Sequence, residues 1–301
     1  MKNILIVLLG PTGVGKTDIS IDLATRFNCE IISADSRQFF REMRIGTAVP
    51  TDLQLNTINH HFIQFRQVKD YYSSSLFERD VLELLPKLFS KNNIALMTGG
   101  SGMYIDAVCY GIDDIPDVDP LVREKYISKY KEEGIESLRA ALKLLDPEYY
   151  SKVDLKNYKR IIRALEICET AGRPYSSFLI KQKRERDFTK IIIGLERNRE
   201  DLYNRINLRV DEMVKSGLEQ EALQLYDFRN LNALNSVGYR EYFDFFDGLI
   251  SREKAIELIK RNSRRYAKRQ ITWWNKNQEI KWFSPEKVEE IIEYISESIK
   301  G

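Results

Sequence analysis

Short, unbroken apolar runs alternate with helical periodicity over the first part of the chain. Ile4–Leu9 is such a run and reads as a strand buried on both faces. From Lys16 to Phe27 the residues Ile19, Leu23, Ala24 and Phe27 recur at helical spacing. Glu30–Ser36 reads as a second buried strand ending at Asp35, and Asn93–Thr98 as a third. Between them Ser73-Ser74-Ser75 caps a helix running to about Ser90, with Leu76, Val81, Leu84, Leu85 and Leu88 inward. Residues 41–75 are a long connection with strand-like pieces such as His61-Phe62-Ile63, the length of a lid or binding loop. From Gly111 to Pro120 an acidic, proline-punctuated linker carries Asp113, Asp114, Asp117 and Asp119. Helical spacing alone follows, near 120–133, 135–145 and 154–171, the last closed by Gly172 before Pro174. Lys181–Arg186 is basic and reads as flexible; Lys190–Leu195 then restores a buried strand. A helix over Arg199–Ser216 buries Leu202, Ile206, Val210 and Met213, and the tail reads as helical throughout.

The turn after the first strand, Gly10-Pro11-Thr12-Gly13-Val14-Gly15-Lys16-Thr17, fits the phosphate-loop pattern G-x-x-x-x-G-K-[ST] in full, between strand and helix as that motif requires. Glycines let successive N–H groups turn inward, and the next helix offers its positive end to an anion. Lys16 then reaches the terminal phosphate and the Thr17 hydroxyl holds Mg²⁺. The fold expected is α/β: a P-loop NTPase-like parallel sheet flanked by helices, residues 1–112 and 189–301, with an all-helical insertion at 113–188. Asp35, ending a strand, projects toward the phosphate site, although a turn-capping aspartate has the same local sequence. A second glycine turn, Gly99-Gly100-Ser101-Gly102, opens another helix and brings backbone amides and the Ser101 hydroxyl to the same ligand.

Composition narrows the classes. The net charge is only +2, so any nucleic-acid surface must come from local clustering. The tail supplies one between Lys260 and Lys276, where Arg261, Arg264, Arg265, Lys268 and Thr272 share a helical face, with Tyr266, Trp273 and Trp274 interleaved. A solvated basic helix with core tryptophans has the same pattern; cations beside aromatics favour RNA. The three cysteines are widely separated and read as reduced thiols of a cytosolic protein. His60 and His61 are the only histidines and read as polar loop residues, which argues against a histidine metal site. Ile4–Leu9 is too short to span a bilayer and leads straight into the loop, so no membrane association is expected. The strand at 94–98 ends in Thr98-Gly99-Gly100 without the acid that an ATP hydrolase needs for its Mg²⁺ site. Two readings remain: a small-molecule kinase, or a transferase that holds a diphosphate leaving group in the loop.

Behind the phosphate loop come, in order, Asp35-Ser36-x-Gln38, Ile45-Gly46-Thr47-Ala48, Gly99-Gly100-Ser101-Gly102-Met103-Tyr104, Arg163-Ala164-Leu165-Glu166, Val237-Gly238-Tyr239 and Arg264-Arg265-Tyr266-Ala267-Lys268-Arg269-Gln270-x-Thr272-Trp273. Together they closely resemble the bacterial-type tRNA dimethylallyltransferases, over essentially the whole chain. The resemblance implies transfer of a dimethylallyl group from dimethylallyl diphosphate to N6 of the adenosine 3′ of the anticodon, with Mg²⁺, by a cytoplasmic monomer. It implies Asp35 as base, Ser101 in place of a threonine holding the same amine, and Lys16 and Arg209 on the diphosphate. Gly10, Thr12, Gly13, Val14, Gly15, Lys16 and Thr17 become a diphosphate cradle, Thr17 the metal ligand. RNA contacts are implied at Asp35, Ser36, Arg37, Gln38 and Ser101, and in the insertion at Arg123, Lys159, Arg160 and Arg163, where the family clamps the anticodon stem–loop. Further contacts are implied at Asn235, Val237, Gly238, Tyr239 and Arg240, and at Lys268, Arg269, Gln270, Thr272 and Trp273. The chain departs from the family at Phe40 (commonly tyrosine), Val49 (lysine), Asn59 (proline) and Asn275 (arginine). The rival readings are a cytokinin-type transferase acting on free adenylate, a P-loop kinase and a non-catalytic RNA-binding module.

Overall fold

The computed structural model describes residues 2–113, 115–116, 118–179 and 184–300. Asp114 and Asp117 of the acidic linker and Lys181–Lys183 of the basic segment lie outside them. The chain divides into two compact units, 1–110 with 185–301, and 111–184.

In the first unit the apolar run forms β1 (Ile4–Leu9), followed by α1 (Lys16–Arg26), β2 (Ile31–Ser33), α2 (Asp52–Thr57), β3 (His60–His61), α3 (Ser74–Phe89), β4 (Ile94–Gly99) and α4 (Gly102–Tyr110). After the second unit, which holds α5 (Pro120–Glu133), α6 (Ile135–Leu145), α7 (Pro147–Tyr150) and α8 (Tyr158–Ala171), come β5 (Thr189–Leu195), α9 (Arg199–Lys215), α10 (Leu218–Gln224), α11 (Tyr239–Phe246), α12 (Arg252–Trp274), β6 (Lys281–Phe283) and α13 (Val288–Lys300). The strands pair in parallel in the order β3-β2-β4-β1-β5-β6. All six residues of β1 are buried, because side chains alternate between two covered faces. Leu5, Val7 and Leu9 join the core that includes Phe77, Val81 and Leu85 of α3; Ile4, Ile6 and Leu8 join the core that includes Leu23 of α1 and Ile291 of α13. From β1 the chain moves to β2, β3 and β4 on one side and then to β5 and β6 on the other. The carboxyl end of β1 is therefore the switch point where open parallel sheets bind ligands.

The helix over 74–89 starts where the serines predict, with Ser73 Oγ accepting from the Leu76 N–H. Two elements escape the hydrophobic pattern, and the strand-like piece read at 61–63 is a shorter strand beginning one residue earlier. α2 is short and buries no side chain, and its signal is the capping box Thr51/Gln54. β3 contributes only two residues. β6 is an edge strand inside a tail expected to be wholly helical. Arg186, expected in a flexible basic segment, is instead half-buried and fixed: it donates to the Ala107 and Val108 carbonyls and pairs with Glu78 of α3.

The second unit contains α5 (Pro120–Glu133), α6 (Ile135–Leu145), α7 (Pro147–Tyr150) and α8 (Tyr158–Ala171). Its core gathers Tyr126, Leu138, Leu142, Ile161, Ile162 and Leu165. α8 begins at Tyr158, not near 154, because Asn157 accepts from the Arg160 N–H and caps it there. Gly172, at φ 65°, ends it. Asp146 is fully buried and accepts from the N–H groups of Tyr149 and Ser176 and the Ser176 hydroxyl, which fixes the turn around α7. No described helix of either unit is long and apolar enough to cross a membrane.

Candidate active site

Gly13 and Gly15 adopt φ of 81° and 110°, the left-handed region that favours glycine, and a Cβ at Gly13 would approach Ile206 to 2.9 Å. Gly15 is also the N-cap of α1, with no side-chain acceptor there, so the backbone alone faces whatever sits at that helix end. Val14 is buried and anchors the turn. Three arginines from the β5–α9 connection and α9 grip the loop: Arg197 donates to the Val14 carbonyl, Arg205 to Gly13, and Arg209 to Thr12 Oγ1 at 3.0 Å. Lys16 Nζ folds back onto the carbonyls of Gly10 (2.8 Å) and Pro11 (3.0 Å). Burial lowers the Lys16 ammonium to about 8, opposed by the Asp35 charge and reinforced by Arg209. Burial likewise lowers Arg209 below its usual range.

Across the sheet end, Asp35 follows β2, where Ala34 N–H bonds the Thr98 carbonyl of β4. Gly99 presses on Ala34 so closely that a Cβ would stand 2.3 Å from its carbonyl oxygen. The Ser101 N–H returns to the Ala34 carbonyl, and its Oγ accepts from the Ser36 N–H at 2.9 Å. The hydroxyl is thus fixed beside Asp35, whose Oδ1 accepts from the Arg37 N–H.

One pocket of about 440 Å³ is lined by Thr12 and Arg209 on one side and Asp35 and Ser101 on the other. Arg37, Asn235, Val237, Gly238, Arg240, Arg269 and Trp273, expected as RNA contacts, line the same pocket, with Trp273 half exposed. Thr17 lies on a smaller pocket of about 50 Å³ with Lys16, Ser33, Asp35, Gln38 and Thr98.

A family model described as IPP transferase matches residues 38–277. The tRNA dimethylallyltransferase 1 of Bacteroides fragilis is 52% identical over 98% of both chains. The tRNA dimethylallyltransferase of Christiangramia forsetii is 52% identical over 99% of both. The chain belongs to the tRNA dimethylallyltransferase family. Its fold matches the crystal structure of the full-length tRNA isopentenylpyrophosphate transferase from Bacillus halodurans at a TM-score of 0.73, with 35% identity over 99% and 97% of the two chains. A eukaryotic dimethylallyltransferase acting on tRNA matches at 0.77, with 26% identity over 94% of this chain and 74% of that one. The enzymes of this family are prenyltransferases, and the parallel P-loop-like sheet is the fold its solved members share with this chain.

Some residues that the family pattern associates with RNA stand elsewhere. Tyr239 is fully buried, donates to Glu221 and packs on Gly46. Burial and the Glu221 charge hold its phenol well above the usual range. Gln38 braces the Thr47 and Ala48 carbonyls, and Gln270 is buried between the two glycine turns. Thr272 donates to the Lys268 carbonyl of its own helix, and both are exposed. Trp274 is core, 1% exposed, whereas the adjacent Trp273 donates to Asp106. In the helical unit Lys159 and Arg160 are exposed, while Arg123 and Arg163 both lean on the buried Glu166 at 3.5 Å. Phe40 is buried. Asn59 donates to Glu30, which His61 and Lys91 also contact. The three cysteines are buried and unpaired by disulfide.

Sequence reading missed Glu221 and Arg197, and placed Tyr266 only among the aromatics of the basic run. Glu221 takes the N–H groups of Arg44, Ile45 and Gly46, a pairing across the chain that no local pattern announces. Tyr266 lines the pocket, and burial, followed by the Asp35 charge, pushes its phenol up to about 12. Its clue was the spacing of Tyr266, Arg269, Gln270 and Trp273 on one face of α12.

Proposed function

We propose that the protein transfers a dimethylallyl group from dimethylallyl diphosphate to N6 of the adenosine immediately 3′ of the anticodon, position 37, of tRNA. Diphosphate is released and N6-isopentenyladenosine is formed. The observation that carries this reading is the pocket that Thr12 and Arg209 share with Asp35 and Ser101, in a chain of this family. An anion cradle and a carboxylate–hydroxyl pair opening on one space suit an alkyl transfer with a diphosphate leaving group.

The adenine amine is a poor nucleophile, so Asp35 takes its proton as the nitrogen attacks the allylic carbon, with Ser101 Oγ holding the same amine. The new carbon–nitrogen bond forms as the carbon–oxygen bond breaks, and the bonding pair leaves with the diphosphate. Loop amides between Gly13 and Thr17, Arg209, and Lys16 released from the Gly10 and Pro11 carbonyls stabilise that developing charge. Ile206, Val210 and Met213 give the pocket an apolar wall that excludes competing water. Mg²⁺ fits beside Thr17: the small pocket offers hydroxyls of Ser33 and Thr98 and the Asp35 carboxylate, and Thr98 Oγ1 is buried without a hydrogen-bond partner. Such oxygens suit a hard, partly hydrated cation. When bound, the ion neutralises charge on the diphosphate.

The target base leaves its stack to reach the pocket. Arg37, Arg240 and Arg269 supply cations there and Trp273 a ring. Arg123, Lys159, Arg160 and Arg163 of the helical unit meet the anticodon stem–loop, and the enzyme works as a cytoplasmic monomer. A free-nucleotide acceptor has no use for that unit, and a kinase calls for an acid pair around Mg²⁺, where the small pocket beside Thr17 offers Asp35 alone.

The test incubates purified protein and Mg²⁺ with labelled dimethylallyl diphosphate and either unmodified tRNA or AMP, with ATP turnover followed in parallel. Label in tRNA alone is expected. Label in AMP instead moves the protein to the cytokinin-type activity; ATP consumption without prenyl transfer returns the loop to a kinase.

A further inference from the structure

Gln270 of α12 is 5% exposed, yet both ends of its amide are engaged. Its Oε1 accepts from the Thr12 N–H at 2.9 Å, and its Nε2 donates to the Gly100 carbonyl at 2.7 Å. A backbone donor on one side and a backbone acceptor on the other dictate the sense of the amide. Each partner leads into the pocket. Thr12 Oγ1 accepts from Arg209, and Gly100 precedes Ser101, whose Oγ meets Ser36 beside Asp35. A Cβ on Gly100 would come 2.4 Å from Nε2, so this glycine is what admits the amide.

We infer that Gln270 is a positioning residue: a clasp that fixes the diphosphate loop against the amine-holding loop and so sets the line of attack on the allylic carbon. This departs from the family-derived expectation of an RNA contact at 270 and rests on the proposed prenyl transfer. The clasp holds neither reacting atom. It acts through Thr12 and Gly100, on the separation of leaving group and nucleophile. A displacement of about 1 Å between reacting groups costs on the order of 10²-fold in rate. Misregister also lets water replace the amine at the same carbon, giving dimethylallyl alcohol and diphosphate.

The test compares wild type with Gln270→Glu and Gln270→Met. Gln270→Glu keeps an acceptor for Thr12 but sets a carboxylate against the Gly100 carbonyl; Gln270→Met keeps the volume and removes both bonds. The measurements are kcat at saturating substrates, tRNA Kd by filter binding, and the share of donor lost as alcohol. The expected result is a fall in kcat of at least about tenfold for both variants, a larger alcohol share, and tRNA Kd within about twofold of wild type. Unchanged kcat, or weaker tRNA binding with unchanged kcat, overturns the inference and returns Gln270 to RNA recognition. A protein-only arm measures the unfolding midpoint of Gly100→Ala in wild-type and Gln270→Ala backgrounds. The added methyl collides with the amide only in the first, so a larger drop is expected there; equal drops overturn the clasp. If wild type transfers no prenyl group, the proposed function fails, and this arm still decides the clasp.

Discussion

Replacing Glu221 by glutamine weakens an acceptor on which three loop amides and the Tyr239 hydroxyl converge. Oε2 of Glu221 accepts from the N–H groups of Arg44 (2.9 Å) and Ile45 (2.7 Å), and Oε1 from Gly46 N–H (2.9 Å) and Tyr239 OH (2.7 Å). The held segment carries Thr47, whose carbonyl accepts from Gln38 and Arg209. Glutamine has the same length, but its NH₂ faces donors: two bonds lose their acceptor and the other two lose the charge that strengthens them. Bonds to a charged group contribute about 1.5–3 kcal/mol each. Because Glu221 is only half-buried and water meets some of the stranded groups, we expect a net loss of about 2–4 kcal/mol. For a unit of this size that lowers the unfolding midpoint by about 4–16 °C. The assay is thermal unfolding followed by far-UV circular dichroism, combined with KM for dimethylallyl diphosphate and Kd for tRNA. KM for the donor should rise, since Arg209 loses its fixed carbonyl, while tRNA Kd stays close to wild type. A midpoint within about 1 °C of wild type, with unchanged donor KM, would refute the argument that this carboxylate holds the loop.

Asp35→Ala should lower kcat by about 10²–10⁴ with tRNA binding nearly intact, as single-turnover assays and filter binding would show; a fully active variant removes Asp35 as the base. Burial holds the Lys16 ammonium at about 8 in the folded protein, below its ordinary value of 10.5, so the native state binds fewer protons than the unfolded state between those values. Its contribution to stability therefore grows as pH rises from about 8 to 10.5 and is lost as pH falls through about 8. Diphosphate binding needs the charged form and should weaken about tenfold per unit above pH 8 in calorimetry; Lys16→Met should abolish that pH dependence, and an unchanged dependence points to another group. Lys268 is exposed on α12; Lys268→Ala should weaken tRNA binding and reduce the salt slope by about one, and an unaltered slope in salt titrations removes this contact.

The phosphate loop, β1 and the glycine turn after β4 were legible because each depends on residues adjacent in sequence: left-handed glycines, an apolar run, a following helix. Asp35 was legible through its place at the end of a strand. What pairs across the chain was not. Glu221 meets residues 44–46, Gln270 meets Thr12, and Arg186 meets Glu78, separations that periodicity does not encode. The basic-aromatic run of α12 shows the limit clearly. Its composition favoured RNA as a whole, yet the helix divides it: Trp274 turns to the core, Tyr266, Arg269, Gln270 and Trp273 to the pocket, and Lys268 and Thr272 to solvent. β6 escaped because three edge residues carry too little pattern to separate from a helical tail.

The order of the sheet explains why a phosphate loop serves this chemistry without a Walker-type acid. β2, β4 and β1 are consecutive neighbours, and all three run parallel, so their carboxyl ends emerge on one edge. Asp35 follows the first, Ser101 the second, and the anion loop the third. Asp35 therefore lines the small pocket beside Lys16 and Thr17 as well as the larger one that it shares with Ser101. That arrangement suits the proposed allylic donor, with its diphosphate at the loop and its reactive carbon toward the amine. An acid at the end of β4, where a hydrolase needs one for its metal, would set a second carboxylate between base and leaving group. There it would compete with Asp35 for the amine proton and repel the departing diphosphate. Thr98-Gly99-Gly100 keeps that position neutral, and the same glycines let β4 close on Ala34 and let Gln270 reach across. The neutral end of β4 and the second glycine turn thus serve one proposed end, holding a diphosphate while a carbon leaves it.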